Sequence, residues 1–318
     1  MRTYTNAVET HDLSRKFGNF SAVDSVNMGI PKGEIFGLLG PNGAGKTTTI
    51  RILCGILTPT SGNATVLGYD IKRESEQIKK NVGYMSQRFS LYNDLTPREN
   101  LEVYASIYGI PRKQQKPRID ELIETADLVD FQKERTLNLS GAWRQRLALA
   151  CAIIHEPALL FLDEPTAGVD PISRRQFWEL IYEMAGKGVS MLTTTHYLDE
   201  AEFCNTVGLM YQGKLFSVGS PDLLRDNMPG ELFQVNCSDP ERAMDILDRQ
   251  PFILETSLHG AQLHVTVRTA IDQKNIIRTL ENNQITVNQC EPGEPTLEDV
   301  FISMIKQQRN DTTPVTGG

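Results

Sequence analysis

Residues 33–57 constrain the fold of this chain more than any other stretch. Gly33-Glu-Ile-Phe-Gly-Leu-Leu-Gly40 is a short apolar run ending in glycine, as a buried strand does. Gly40-Pro41-Asn42-Gly43-Ala44-Gly45-Lys46-Thr47 continues it and fits the pattern G-x-x-x-x-G-K-[ST]. Beyond it, Ile50, Leu53 and Leu57 share one face of a helix predicted over residues 46–57, which Thr58-Pro59 stops. Strand, glycine-rich turn and helix in that order make a phosphate cradle. Glycines let backbone N–H groups approach a phosphate with no side chain in between. Lys46 brings a point charge to the β- and γ-phosphates and Thr47 a hydroxyl to Mg²⁺, with Thr48 next to it at the helix start. The N-terminal end of the helix dipole then faces the anion.

A second feature belongs to the same chemistry. Residues 158–162, Ala-Leu-Leu-Phe-Leu, are continuously apolar, as a parallel strand buried on both faces should be. The run ends in Asp163-Glu164, and carboxylates at the C-terminal end of such a strand lie where α/β sheets bind ligands. Asp163 is expected in the Mg²⁺ shell, and Glu164 as the general base that polarises an attacking water. An isolated acidic pair would more simply be a strand cap; beside a phosphate loop the catalytic reading prevails.

Bulk properties exclude other classes. With 318 residues, 40% hydrophobic and 23% charged, the chain can build a sizeable core without metal or disulfide staples. No run reaches the ~18–20 apolar residues of a membrane-spanning helix, and residues 1–9 lack a signal-peptide core, so a membrane role is expected to come through a separate chain. Five scattered cysteines form neither a disulfide framework nor a CxxC pattern, which fits a reducing, cytosolic compartment. The net charge of −8, with no Lys/Arg stripe, disfavours nucleic acid as a partner.

Two domains are expected, over residues 1–229 and 230–306, with a polar, frayed tail at 307–318. The second is the more acidic for its size. Its segments read as strand 233–237, helix 240–248, strands 252–258 and 262–267, helix 271–282 and strand 287–289. That β-α-β-β-α-β order is a split βαβ pattern. Thr296-Leu-Glu-Asp299 reads as a capping box that starts a last helix.

Further motifs resemble the nucleotide-binding subunits of ABC transporters over about residues 7–225. Leu139-Ser140-Gly141 followed by Arg144-Gln145-Arg146-Leu147 resembles the family signature, and Glu164-Pro-Thr-Ala-Gly-Val-Asp170-Pro the segment with the D-loop. Gln87 in Gly83-Tyr-Met-Ser-Gln87 matches the Q-loop, His196 in Thr193-Thr-Thr-His196 the switch histidine, and Phe17 the aromatic that stacks on adenine. The resemblance implies a P-loop NTPase: a RecA-like α/β core, an antiparallel β subdomain and a helical subdomain at about residues 88–157. It implies ATP and Mg²⁺ as cofactors, with Gln87 sensing the metal and His196 bonding a γ-phosphate oxygen. It also implies a dimer, with itself or with another ABC ATPase. There Ser140, Gly141 and Asp170 of one subunit would face the nucleotide of the other.

The chain departs from the family's usual Leu-Ser-Gly-Gly-Gln, reading Ala142-Trp143 at the last two positions. Either Trp143 points harmlessly to the rim, or the closing surface is weakened and hydrolysis slowed. Phe89, Leu91 and Tyr92 are candidates for the groove that receives a helix of a membrane subunit. The remainder of the chain, ending in Pro295-Thr-Leu-Glu-Asp-Val-Phe301, resembles the tail of ABC-2-type exporter ATPases of the daunorubicin/doxorubicin-resistance-like group. The implied function is to power a separate ABC-2-type permease, at the cytoplasmic face of the inner or plasma membrane, for export of drugs, lipids or other hydrophobic compounds. A soluble ABC ATPase working on a macromolecular assembly is the alternative; a small-molecule kinase would leave the signature, Gln87 and His196 unexplained.

Overall fold

The computed structural model describes residues 4–87 and 90–312. The chain divides into two compact units at Val218/Gly219. In chain order the first unit opens with β1 (Asn6–Phe17), β2 (Phe20–Pro31), β3 (Ile35–Leu39), α1 (Lys46–Leu53), β4 (Ser61–Val66) and β5 (Tyr69–Asp70). Next come α2 (Ser75–Asn81), β6 (Val82–Met85), α3 (Pro97–Ile107), α4 (Arg112–Thr125) and α5 (Gly141–Ile153). It closes with β7 (Leu159–Asp163), α6 (Pro171–Gly186), β8 (Ser190–Thr195), α7 (Leu198–Ala201), β9 (Thr206–Tyr211) and β10 (Lys214–Gly219).

Two sheets organise this unit. The larger has the order β10-β9-β3-β8-β7-β6, with β6, β7, β8, β3 and β9 all parallel. Every residue of β3, β7 and β8 is buried, which explains why these strands read as unbroken runs rather than alternating ones. The smaller sheet, β2-β1-β4-β5, is antiparallel. Its inward side chains Val8, Leu13, Val26 and Ile30 share a core with Ile50 and Leu53 of α1 and Phe161 of β7. Helix α1 ends at Leu53, short of the predicted residue 57, because Gly55 takes a left-handed φ of 69°. Leu57 still packs against that core.

The helical part forms its own cluster, in which Leu101 and Ala105 of α3 meet Ile119 and Leu122 of α4 and Leu147 of α5. Helix α3 begins with Pro97 behind a capping box: Thr96 Oγ1 accepts from Glu99 N, and Glu99 Oε2 accepts from Thr96 N at 2.8 Å. Leu91, Tyr104 and Tyr108 pack on the cluster, Tyr92 is half exposed, and Phe89 lies outside the described residues. His155 stacks on Tyr108 at 3.6 Å and faces Val82 O at 3.1 Å; burial pulls its pKa down to about 4, so it sits there neutral.

The second unit runs α8 (Pro221–Asp226), β11 (Glu231–Cys237), α9 (Pro240–Leu247), β12 (Ile253–His259), β13 (Gln262–Val267), α10 (Gln273–Asn282), β14 (Val287–Pro292) and α11 (Leu297–Thr312). From β11 to β14 the order is β-α-β-β-α-β, and the sheet β12-β13-β11-β14 is antiparallel. The unit begins about ten residues before the boundary expected from sequence, because α8 packs on α11. Helix α11 opens with the Thr296–Asp299 capping box and continues past residue 306 to Thr312; residues 313–318 of the expected tail lie outside the described residues.

Candidate active site

The loop between β3 and α1 requires its glycines for steric reasons. A Cβ on Gly40 would lie 2.1 Å from Met210 O, and one on Gly45 would lie 2.3 Å from Ala22 O. Gly45 also holds φ at 110°, and Gly43 at 82°. Pro41 and Asn42 are exposed, while Ala44 is buried and its N–H bonds Pro41 O at 3.1 Å. Gly45, the residue before α1, offers no side-chain cap, so the first-turn N–H groups, Thr47 and Thr48 included, face the loop as an anion-binding surface.

Lys46 is 4% exposed and donates from Nζ to Gly40 O at 2.6 Å and Pro41 O at 3.2 Å. Its Nζ is also 3.5 Å from Glu164 Oε1. Burial lowers the lysine's pKa, while the Glu164 and Asp163 carboxylates pull it back up. Asp163, the last residue of β7, accepts at Oδ1 from Thr47 Oγ1 (2.9 Å) and Thr194 Oγ1 (2.8 Å). Its Oδ2 is buried with no hydrogen-bond partner. Burial raises the Asp163 pKa, against the two hydroxyls that lower it. A buried carboxylate with one unpartnered oxygen, next to a threonine hydroxyl at an anion cradle, suits a divalent cation.

Glu164 follows with a left-handed φ of 49° and is 9% exposed. Its N–H is held by Thr194 at both O (3.2 Å) and Oγ1 (2.9 Å). Three side chains converge on the carboxylate: Gln87 Nε2 donates to Oε2 at 2.8 Å, His196 Nδ1 lies 3.5 Å from Oε2, and Lys46 completes the set. The strand order explains the convergence. Gln87 follows β6, Glu164 follows β7, His196 follows β8 and the glycine loop follows β3, so four neighbouring parallel strands deliver them at their carboxyl ends. Such a cluster can hold a triphosphate, a cation and a polarised water together.

Other residues expected at the site have local partners of their own. Phe17, at the end of β1, is 47% exposed with the Arg15 guanidinium 4.7 Å from its ring centroid. Ser140 caps α5, accepting from Trp143 N at 3.5 Å, and the Cβ position of Gly141 faces open space. Asp170 caps α6 through Ser173 N (3.0 Å) and Ile172 N (3.1 Å), and those N–H groups hold its pKa down. Among the described residues, none of these four bonds to Lys46, Asp163 or Glu164. Trp143 is partly buried: it packs on Phe131 at 4.6 Å, with the Arg146 guanidinium 5.0 Å from its ring. A cavity of about 370 Å³, lined by residues such as Leu122, Arg146 and Met184, shares no residue with the cluster.

Thr194 was not singled out from the sequence, yet it bonds both acids. A second unread group supports His196. Its ring lies 4.1 Å from that of Tyr197, which carries the Arg174 guanidinium at 4.1 Å. Arg174 in turn pairs with Asp199 (2.9 Å) and buried Glu200 (3.3 Å), and Glu200 accepts from Thr166. The visible sign was the polar run Thr193-Thr194-Thr195 inside a strand otherwise fit for burial.

Comparison with known proteins agrees with this geometry. Residues 23–167 match the family model described as ABC transporter, and residues 219–305 that described as ATP-binding protein DrrA1-3-like, C-terminal domain. Over 218 residues the chain is 50% identical to the probable multidrug ABC transporter ATP-binding protein YbhF of Escherichia coli; the match takes in 69% of this chain and 38% of that longer protein. The linearmycin resistance ATP-binding protein LnrL of Bacillus subtilis is 31% identical over 310 residues, 96% of this chain and 100% of the relative. A solved ATP-binding subunit of an ABC transporter has a TM-score of 0.63 at 29% identity, covering 69% of this chain and 92% of that one. The chain thus belongs to the ATP-binding subunits of ABC transporters, with an ABC transporter domain followed by a DrrA1-3-like C-terminal domain.

Proposed function

We propose that the chain hydrolyses ATP at this cluster and thereby powers a separate ABC-2-type permease that exports drugs, lipids or other hydrophobic compounds. The observation that carries the reading is Glu164, a buried carboxylate at the end of β7 contacted by Gln87, Lys46 and His196. The loop N–H groups and Lys46 hold the phosphates. Lys46 then pairs with phosphate oxygen, and Glu164 is left to take a proton from water. His196 would bond the γ-phosphate, a role supported by its packing on Tyr197, which carries the Arg174 guanidinium. Thr47, Asp163 and Gln87 would hold Mg²⁺, which would supply charge neutralisation for the bound phosphates.

Ser140 and Asp170 cap helices, and a Cβ on Gly141 would meet nothing within 4 Å. This supports closure by a second subunit, either another copy or a paralogous ATPase. The relatives named for multidrug transport and linearmycin resistance support an exporter. Among the described residues no helix is long and apolar enough to cross a membrane, which supports peripheral attachment through a permease at the cytoplasmic face. The net charge of −8 gives no support to a nucleic-acid partner. The test is affinity capture of the tagged chain from detergent-solubilised native membranes. Recovery of a polytopic membrane protein that stimulates ATP turnover is expected; recovery of ribosomes or soluble assemblies alone would contradict the transport role.

A further inference from the structure

We propose that His259, His264 and Asp299 of the C-terminal unit form a binding site for a zinc-like divalent cation, which clamps the β12–β13 hairpin to the first turn of α11. The hairpin register pairs Ser257 with His264 and His259 with Gln262. Side chains two apart on a strand share a face, so Ser257, His259 and His264 point the same way. Asp299, three residues past Thr296 at the start of α11, is brought over that face.

The distances lie within reach of coordination, once the partly exposed His259 ring, stacked on His264 at 4.0 Å and 19°, turns its Nε2 lone pair toward the ion. Asp299 Oδ1 lies 3.4 Å from His259 Nε2 and 3.3 Å from His264 Nδ1, and all three ligand atoms lie within 4.8 Å of one another. Neighbouring ligand atoms around a tetrahedral zinc ion, with bonds of ~2.0–2.1 Å, are about 3.3 Å apart. His259 Nε2 is buried and makes no hydrogen bond; its neighbour in the cluster is Asp299 Oδ1 at 3.4 Å. The other carboxylate oxygen, Oδ2, is oriented by Thr296 N (2.9 Å) and Thr296 Oγ1 (2.8 Å), with His264 Nδ1 at 3.1 Å. Ser257 Oγ adds a donor to Oδ1 at 3.2 Å. Ligating carboxylates are held by outer hydrogen bonds in this way.

The donor set selects the class of ion. Two imidazole nitrogens and one carboxylate suit zinc and its first-row neighbours, whereas Mg²⁺ and Ca²⁺ prefer shells of oxygen. The His259 side chain is 23% exposed, leaving a side open for a water as fourth ligand. His264 and Asp299 are only 4% and 2% exposed, so the ion would be anchored in the core and capped near the surface.

The experiment uses the full-length, metal-stripped protein with Mg·ADP present to occupy the nucleotide site, titrated with Co²⁺ and then Zn²⁺. The wild type is expected to bind one equivalent of Co²⁺ with the visible absorption of a tetrahedral complex, to exchange it for Zn²⁺, and to unfold at a higher temperature with Zn²⁺ bound. His259→Ala and His259→Gln, changed at the partly exposed ligand, should fold, hydrolyse ATP as before and lose that equivalent. Ser257→Ala should keep it with affinity reduced on the order of tenfold. A wild type that binds no equivalent, or His259 variants that bind Co²⁺ and Zn²⁺ as the wild type does, would overturn the proposal in favour of a hydrogen-bonded cluster only.

Discussion

Thr194 orients both acids of the site, since it donates to Asp163 Oδ1 and accepts from Glu164 N. Replacing it by Val keeps the volume and removes the hydroxyl. The Asp163 carboxylate then keeps Thr47 as its donor, and Glu164 N keeps only the Thr194 carbonyl. We expect kcat to fall on the order of 10–100-fold, as for an outer partner of a metal-binding carboxylate, with the KM for ATP little changed. Steady-state phosphate release checks this; an unchanged kcat would make Thr194 a packing residue. The glycine loop, Asp163 and Glu164 were legible because they stand in local patterns, and Gln87 and His196 only through the resemblance of their segments to a family. Thr194 was not, because its role comes from the register that sets Asp163 beside it across β7 and β8. That register is a long-range property, and a threonine run carries no mark of which hydroxyl faces an acid.

At the scale of elements, helix α5 shows what the altered signature changes. Ser140 caps it as a serine should, and its third helical residue, Trp143, belongs to the helical cluster through Phe131. Trp143→Gln is therefore expected to lower stability by about 1–3 kcal/mol, less than the loss of a fully buried aromatic. Restoring Leu-Ser-Gly-Gly-Gln in full would mix that packing loss with any gain at the closing surface. Ala142→Gly alone separates them: it should raise the ATPase rate of the assembled complex with little change in the thermal unfolding midpoint. A destabilised Ala142→Gly variant, or an unchanged rate, would mean that the alanine is neutral for closure. Elements were legible where chemistry is local, as at the Thr296 box and the β12–β13 hairpin. Their limits were less so: Gly55 stopped α1 at Leu53, short of the predicted residue 57.

At the scale of the whole molecule, the parallel sheet makes one site out of residues spread from Gly40 to His196. The adjacency of β6, β7, β8 and β3 accounts for the meeting of Gln87, Glu164, His196 and the loop. The ABC-type fold was legible because its motifs keep a fixed order, and the split βαβ unit because its alternation is regular. The cluster of His259, His264 and Asp299 was not, since Asp299 joins the hairpin only once α11 is packed. The proposed function rests on Glu164 as the base, at the cluster it forms with Gln87, Lys46 and His196. The most direct test is Glu164→Gln, with nucleotide binding and phosphate release measured on the same preparation. The account predicts Mg·ATP binding close to that of the wild type and turnover reduced by roughly 10²–10⁴-fold; undiminished phosphate release would contradict it.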